Sequence, residues 1–251
     1  MRRVSEVARL YHAHHSQNPE DIPFWLELAE GKGSFVLELG CGSGRVSQAL
    51  AKAGQLVYGL DNDPEMLTFF KSQTEYEFRD RIHLLQADLT RFHLNIKFPL
   101  IIIPCNTYST LSPDERQSGL RCVVQHLQPG GLLVASLPNP VALSELPRKG
   151  KPEIEAYFAH PLDGEPVQVS SSWQRTREQV TIKWDYDHLL PDGLVERNSM
   201  QIRQVITPVE VYLEELQQAN FQIAFLYGDY NYASYVPESP QFIFGATYLR
   251  G

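Results

Sequence analysis

Val36-Leu37-Glu38-Leu39-Gly40-Cys41-Gly42-Ser43-Gly44 sets a short apolar strand directly against a turn in which every second residue is glycine. The strand reads from Ser34 to Leu39. A helix follows from about Arg45 to Ala53, stopped by Gly54 where a C′ glycine belongs. Glycines between a strand and a helix let a ligand approach the backbone, because no Cβ stands in the way. The same residues also suit a turn that is merely tight, so a ligand cradle and a packing turn are both open readings.

Downstream the rhythm repeats. Leu56 to Leu60 is a second buried strand, and Asp63-Pro64 opens a helix with Asp63 as N-cap and Pro64 at the first helical position. Ile82 to Gln86 and Pro99 to Ile103 are further strands. A helix from Ser112-Pro113 to about Leu127 follows, and Pro129-Gly130-Gly131 turns into a strand over Leu132 to Leu137. Upstream, two helices are expected over Ser5 to His14 and Asp21 to Glu30, ended by Gly31-Lys32-Gly33. Strands alternating with helices through short connections give βαβ units and an α/β fold with a doubly wound, mostly parallel sheet.

After Pro138-Asn139-Pro140 the pattern changes. Residues 141–162 read as a linker with a short helix, and Gln168 to Ile206 as a small inserted antiparallel sheet. In its middle stretch Val180, Ile182, Trp184, Tyr186 and His188 share one face while Thr181, Lys183, Asp185 and Asp187 share the other, a period of two. Pro191-Asp192-Gly193 supplies a turn. Thr207-Pro208 then starts a helix to about Ala219, and Phe221 to Tyr227 and Phe242 to Tyr248 close the sheet. The expected division is residues 1–140 with 207–251 as one α/β domain, and 141–206 as an inserted subdomain.

Composition narrows the function. A net charge of −8 argues against binding nucleic acid by phosphate neutralisation. The three cysteines, Cys41, Cys105 and Cys122, form no zinc-spaced set, and free thiols suit a reducing compartment. Residues 1–17 lack the apolar stretch of a secretion signal, and the longest apolar run, Leu100 to Ile103, is too short to span a bilayer. A soluble, cytoplasmic protein with no membrane partner is the expectation.

Acidic residues stand at the carboxyl ends of consecutive strands, where open α/β sheets hold ligands. Asp61 ends the second strand, about twenty residues past the glycine turn, the spacing at which a carboxylate meets ribose hydroxyls. The alternative is that Asp61 only begins the Asp61-Asn62-Asp63-Pro64 turn. Asp88, in Gln86-Ala87-Asp88-Leu89, follows the third strand and can accept from an exocyclic amine.

Taken in order, these segments resemble the motifs of class I S-adenosylmethionine (SAM)-dependent methyltransferases: Glu38 to Gly44, Gly59 to Leu67, Gln86 to Leu89 and Leu127 to Gly131. The third glycine of hydride-transfer enzymes would fall one residue later than Gly44. The resemblance implies SAM as methyl donor and S-adenosylhomocysteine as product. It places Glu38, Gly40, Cys41 and Gly42 around the methionine and sugar, Asp61 on the ribose, Asp88 on the adenine amine, with Ala87 and Leu89 beside it, and Asn62 and Met66 flanking the ring. Cys105 falls in the segment near the methyl sulfonium, and Asn106 and Tyr108 are the candidates for touching the acceptor. For Asn106 the plain alternative is a cap on the next turn.

The inserted sheet followed by Thr207-Pro208 is similar to small-molecule N-methyltransferases, sugar-amine and glycine-type enzymes among them, whose insertion and N-terminal helix cover the cofactor. Tyr11 would then be a lid residue near the SAM carboxylate. His12, His14 and His15 are read as exposed, with no metal set, although one of them could act as a base. Trp173, Trp184 and Tyr186 are either core or a stacking surface. The expected reaction is methyl transfer to a nitrogen, or an oxygen, of a small acceptor by a monomer or homodimer. The rivals are an RNA- or protein-modifying methyltransferase and a non-catalytic SAM-binding regulator.

Overall fold

The computed structural model describes residues 4–17, 19–32 and 35–249, so Gly33 and Ser34 lie outside the described residues. Strand β1 runs Phe35–Leu39, β2 Leu56–Asp61, β3 Ile82–Gln86, β4 Phe98–Ile103, β5 Leu127–Pro138, β10 Phe221–Tyr227 and β11 Gln241–Tyr248. They form one seven-stranded sheet in the order β10-β11-β5-β4-β1-β2-β3. Strands β3 to β5 through the centre are parallel, and β11 and β10 turn antiparallel at the far edge.

Alternation along the strands explains the three layers. Leu37, Leu39, Ile101, Ile103, Leu133 and Ala135 point to one face, where they meet Leu120 and Val123 of helix α5 (Pro113–His126) and Tyr212 and Leu216 of α7 (Val209–Gln218). Their neighbours Val36, Leu100, Ile102 and Val134 point to the other, against Phe24 and Trp25 of α2 (Ile22–Glu30) and Val46 and Leu50 of α3 (Arg45–Lys52). A strand buried on both faces has no polar side to show, which is why these runs are continuously apolar.

Helix α4 (Pro64–Gln73) starts as the sequence indicates, with the Asp63 carboxylate accepting from the Glu65 and Met66 amides. Helix α7 starts differently. Pro208, not Thr207, is its N-cap residue, and the Thr207 hydroxyl instead accepts from Arg116 at 3.2 Å. The Pro129-Gly130-Gly131 turn lies inside β5 as an irregularity, with Phe98 opposite Leu127 and Leu100 already opposite Leu132.

The second sheet has four antiparallel strands, β6 (Glu153–Ala159), β7 (Pro166–Arg175), β8 (Gln179–Leu189) and β9 (Val195–Val205), paired in chain order. Strand β6 lies within the segment read as a linker; the short helix expected there is α6 (Pro140–Glu145). As an edge strand with mostly exposed residues, β6 carries little hydrophobic signal, and pairing with β7 is what makes it a strand. Helix α1 (Glu6–His15) joins the two sheets. Leu10 packs on Val167, Val169, Trp184 and Tyr186 of the small sheet, while Ala8 packs on Met66 and Phe69 of α4.

Candidate active site

A cavity of about 700 Å³ opens at the carboxyl ends of β1, β2, β3 and β4. Its floor is the glycine turn, which hangs from the end of β2: the Gly40 and Cys41 amides donate to the Leu60 carbonyl at 2.7 and 3.0 Å. Gly40, Gly42 and Gly44 all have positive φ, at 75°, 51° and 85°. The two readings of the turn separate here. A Cβ on Gly40 would strike Thr107 and one on Gly44 the Phe70 ring, whereas a Cβ on Gly42 would meet no atom of the described residues within 4 Å. Gly40 and Gly44 serve packing; at Gly42 the bareness faces open space.

Asp61 sits beside the turn. One carboxylate oxygen accepts from the Gly42 amide at 2.7 Å and the other from the Asp63 amide at 2.9 Å. Each oxygen has two lone pairs, so one acceptor position on each remains for a ligand. Burial pushes the Asp61 carboxyl up, against the pull of those amides. Asp88 is held by the Thr90 amide and hydroxyl at 2.9 and 2.7 Å, bonds that keep its carboxyl below the ordinary range. The Ala87 amide donates to the Asp61 carbonyl at 3.0 Å, tying the two acidic corners together.

Beneath the turn, Glu38 is buried and accepts from the Ser47 hydroxyl. Burial drives its carboxyl up to about 8. After β4 the chain takes two consecutive left-handed residues, Cys105 at φ 56° and Asn106 at φ 67°. Ser136 holds them, its hydroxyl accepting from the Cys105 amide and its carbonyl from the Asn106 amide, both at 3.2 Å. Non-glycine residues cost of order 1–3 kcal/mol each in that region, and such backbone gathers at ligand sites. Asn106 precedes a short 3-10 turn, but its side chain makes no capping hydrogen bond.

The cavity brings together Tyr11, Glu38, Gly40, Cys41, Gly42, Asp61, Asn62, Met66, Ala87, Asp88, Leu89, Cys105 and Asn106. Tyr108 is the correction. It is 2% exposed, packs against Tyr212 and Phe244 in the main core, and does not line the cavity. The 3-10 turn Thr107–Thr110 rotates it towards the sheet, so it has no route to an acceptor.

The histidines are also not as expected. They are half-buried rather than exposed: His12 bonds the Ser43 hydroxyl at 2.9 Å, and His14 the Tyr186 hydroxyl at 3.4 Å. His15 lines the cavity, stacks on Tyr11 with ring centroids 4.0 Å apart, and gives its Nδ1 proton to the Tyr11 carbonyl at 3.0 Å. That leaves its Nε2 lone pair free. Burial, aided by His14, pulls the His15 imidazole down to about 4.

Sequence reasoning missed several wall residues. Arg45 forms a bidentate pair with the buried Asp21 at 2.6 and 2.7 Å and reaches the Cys105 sulfur at 2.8 Å. The pair is assembled across a loop and two elements, so no local spacing announces it. The small sheet supplies Ile182, Met200, Ile202 and Gln204 beside Trp184, for which the sequence offers stacking as one reading, and Tyr230 and Gln241 come from the chain's last segment. Trp184 is thus both core and wall, while Tyr186 is core only and Trp173 covers Gly150. The amide oxygens of Gln204 and Gln241 are buried without a hydrogen-bond partner among the described residues.

The chain is similar to known proteins in sequence and in fold. Residues 36–131 match the family model described as a methyltransferase domain. A ubiquinone biosynthesis O-methyltransferase from Coxiella burnetii is 31% identical over 50% of this chain and 52% of its own length, so the chain spans about half of that curated relative. A SAM-dependent methyltransferase from Clostridium acetobutylicum ATCC 824 superposes with a TM-score of 0.80 at 16% identity, over 98% of this chain and all (100%) of that one. The sugar N-methyltransferase KedS8 from Streptoalloteichus sp ATCC 53650 gives 0.76 at 16% identity, over 100% and 95%. The chain therefore matches a methyltransferase-domain model over residues 36–131 and shares the fold of the solved SAM-dependent methyltransferases on which it superposes.

Proposed function

We propose that the protein binds SAM in this cavity and transfers its methyl group to a nitrogen of a small acceptor. The observation that carries the cofactor half is Gly42 beside Asp61: a bare backbone position with open space before it, next to a carboxylate with an acceptor position left on each oxygen. A ribose diol matches those two positions, and Asp88 has acceptor capacity left for the adenine amine. Met66 and Asn62 then stand on either side of the base, and Tyr11 and Arg45 are near the methionine end. When bound, SAM supplies a methyl group already activated on a sulfonium.

The rest falls to this chain's residues, which orient the acceptor and exclude water. Ile182, Trp184, Met200 and Ile202 form an apolar wall opposite the glycine turn. Gln204, Gln241 and Asn106 are the polar points on it. Leaving a buried acceptor unpaired costs about 1–3 kcal/mol, so the two glutamine oxygens favour a substrate that brings hydrogen-bond donors, N–H or O–H. An amine needs only its own lone pair, while a hydroxyl needs a base matched to neutral pH. His15, held near 4, is a poor base there, and Glu38, at about 8, is buried beneath the glycine turn and bonded to Ser47 rather than set on the acceptor wall. This supports nitrogen over oxygen.

The insertion covers the cavity as a lid over the acceptor, which reads residues 141–206 as a substrate subdomain. The test is mass spectrometry of metabolites from an extract supplied with methyl-labelled SAM. Labelled amines are the expected products. Label found only on hydroxyls rejects the nitrogen assignment. Calorimetry showing no SAM or S-adenosylhomocysteine binding, with or without extract, rejects the cofactor site.

A further inference from the structure

Away from this cavity, His160, Asp163 and His188 place one nitrogen or oxygen each within 4.8 Å of one another. We infer that they form a site for a single divalent transition-metal ion, zinc in the first instance, that clamps the small sheet to helix α1. This assignment is independent of the proposed reaction, since the three residues share no wall with the SAM cavity.

The site is built by register. His160 and Asp163 lie in the turn between β6 and β7, and pairing of β7 with β8 sets His188 opposite Val167, beside that turn. The turn is shaped by its own bonds: the His160 amide donates to the Glu165 carbonyl at 2.7 Å and the Gly164 amide to the His160 carbonyl at 2.9 Å. His160 Nδ1 is 3.0 Å from the Asp163 carboxylate, and His188 Nε2 is 3.3 Å from it. Tetrahedral ligands at about 2.0–2.1 Å from zinc stand about 3.3 Å apart, which both histidine–aspartate spacings match, while the two imidazoles, stacked with centroids 4.0 Å apart, turn on binding to converge on the ion. Both histidines are 5% exposed, whereas Asp163 faces solvent and leaves an entry path.

The second ring nitrogen of His160 strengthens the case. Its Nε2 lies 2.6 Å from Glu6 on α1. With Nε2–H given to Glu6, His160 Nδ1 meets the Asp163 carboxylate either as a second N–H donor or, with a metal ion in that proton's place, as a ligand beside it. A carboxylate behind a histidine is the usual outer support of such a ligand. Two imidazoles and one carboxylate suit zinc and its first-row neighbours rather than magnesium or calcium. A cavity of about 670 Å³, lined also by Glu65, Glu196 and Arg197, leaves the remaining coordination position to water or a further acidic side chain.

The experiment uses untagged full-length protein, stripped with a chelator and titrated with Zn²⁺ by calorimetry against a competing chelator. One zinc per chain is expected, with Tm rising by about 5 °C at saturation. His188→Ala should weaken binding about a hundredfold or more, and Glu6→Gln about tenfold to a hundredfold. Asp163→Asn, on an exposed turn, serves if His188→Ala does not fold. Co²⁺ in place of zinc should give a visible spectrum that disappears in the Asp163→Asn protein. No zinc uptake by the folded protein, or uptake untouched by Asp163→Asn and Glu6→Gln, overturns the site.

Discussion

Replacing Gly42 by alanine separates the two uses of the glycine turn. At φ 51° the new side chain would sit in the left-handed region, costing about 1 kcal/mol, but would meet no atom of the described residues within 4 Å. For a chain of this size that lowers Tm by about 2–4 °C. The added methyl enters the space proposed for the cofactor, and overpacking of about 1–3 kcal/mol weakens binding about tenfold to a hundredfold. Gly44→Ala is the opposite case. Its Cβ would lie 2.3 Å from the Phe70 ring at φ 85°, so stability falls by about 3 kcal/mol or more. Thermal melts and calorimetry with S-adenosylhomocysteine on both variants test the pair. A Gly42→Ala protein that binds the ligand within about twofold of wild type would refute the reasoning, since the bare position would then face nothing that matters.

Asp61→Ala should lower S-adenosylhomocysteine affinity by about a hundredfold or more, two charge-assisted bonds being lost, and Asp88→Ala by only about tenfold; equal losses in calorimetry would contradict the ribose and adenine assignments. Glu38 makes the free protein pH-dependent. Its folded carboxyl, raised to about 8, holds a proton that the unfolded chain has already released, so stability falls as pH rises from the ordinary carboxylate range through about 8. Glu38→Gln keeps an acceptor for Ser47 and should flatten that decline, of order a few kcal/mol, in urea melts across the window; parallel profiles for the two proteins would show the proton is elsewhere. Arg116, fully buried, is clasped by Glu215 at 2.7 Å through two nitrogens, so Glu215→Gln should cost about 3–5 kcal/mol in denaturant melts.

The sequence by itself determined the elements whose signals are local. The apolar run ending at Leu39, the glycines after it, the Asp63-Pro64 helix start and the carboxylates closing consecutive strands each occupy a few neighbouring residues. Short-range sterics and capping decide them. In a parallel sheet, carboxyl ends of adjacent strands necessarily meet, so the glycine turn, Asp61 and Asp88 could be set on one site without coordinates, whereas Tyr11, Asn62, Met66 and Cys105 are implied only by the resemblance to a methyltransferase family.

Only the tertiary structure decided the rest. Tyr108 went to the core because one 3-10 turn aims it at the sheet, two residues after Asn106 reaches the cavity. Strand β6 exists by pairing with β7, and Arg45 finds Asp21 across the start of the fold. Gln204 and Gln241 line the cavity, and His160, Asp163 and His188 converge, through strand pairings that join distant segments. Hydrogen-bond register is a relation between strands. The alternation within one strand says which face a residue takes but not which residue of the partner it meets, so contacts made this way are visible only once the chain has folded.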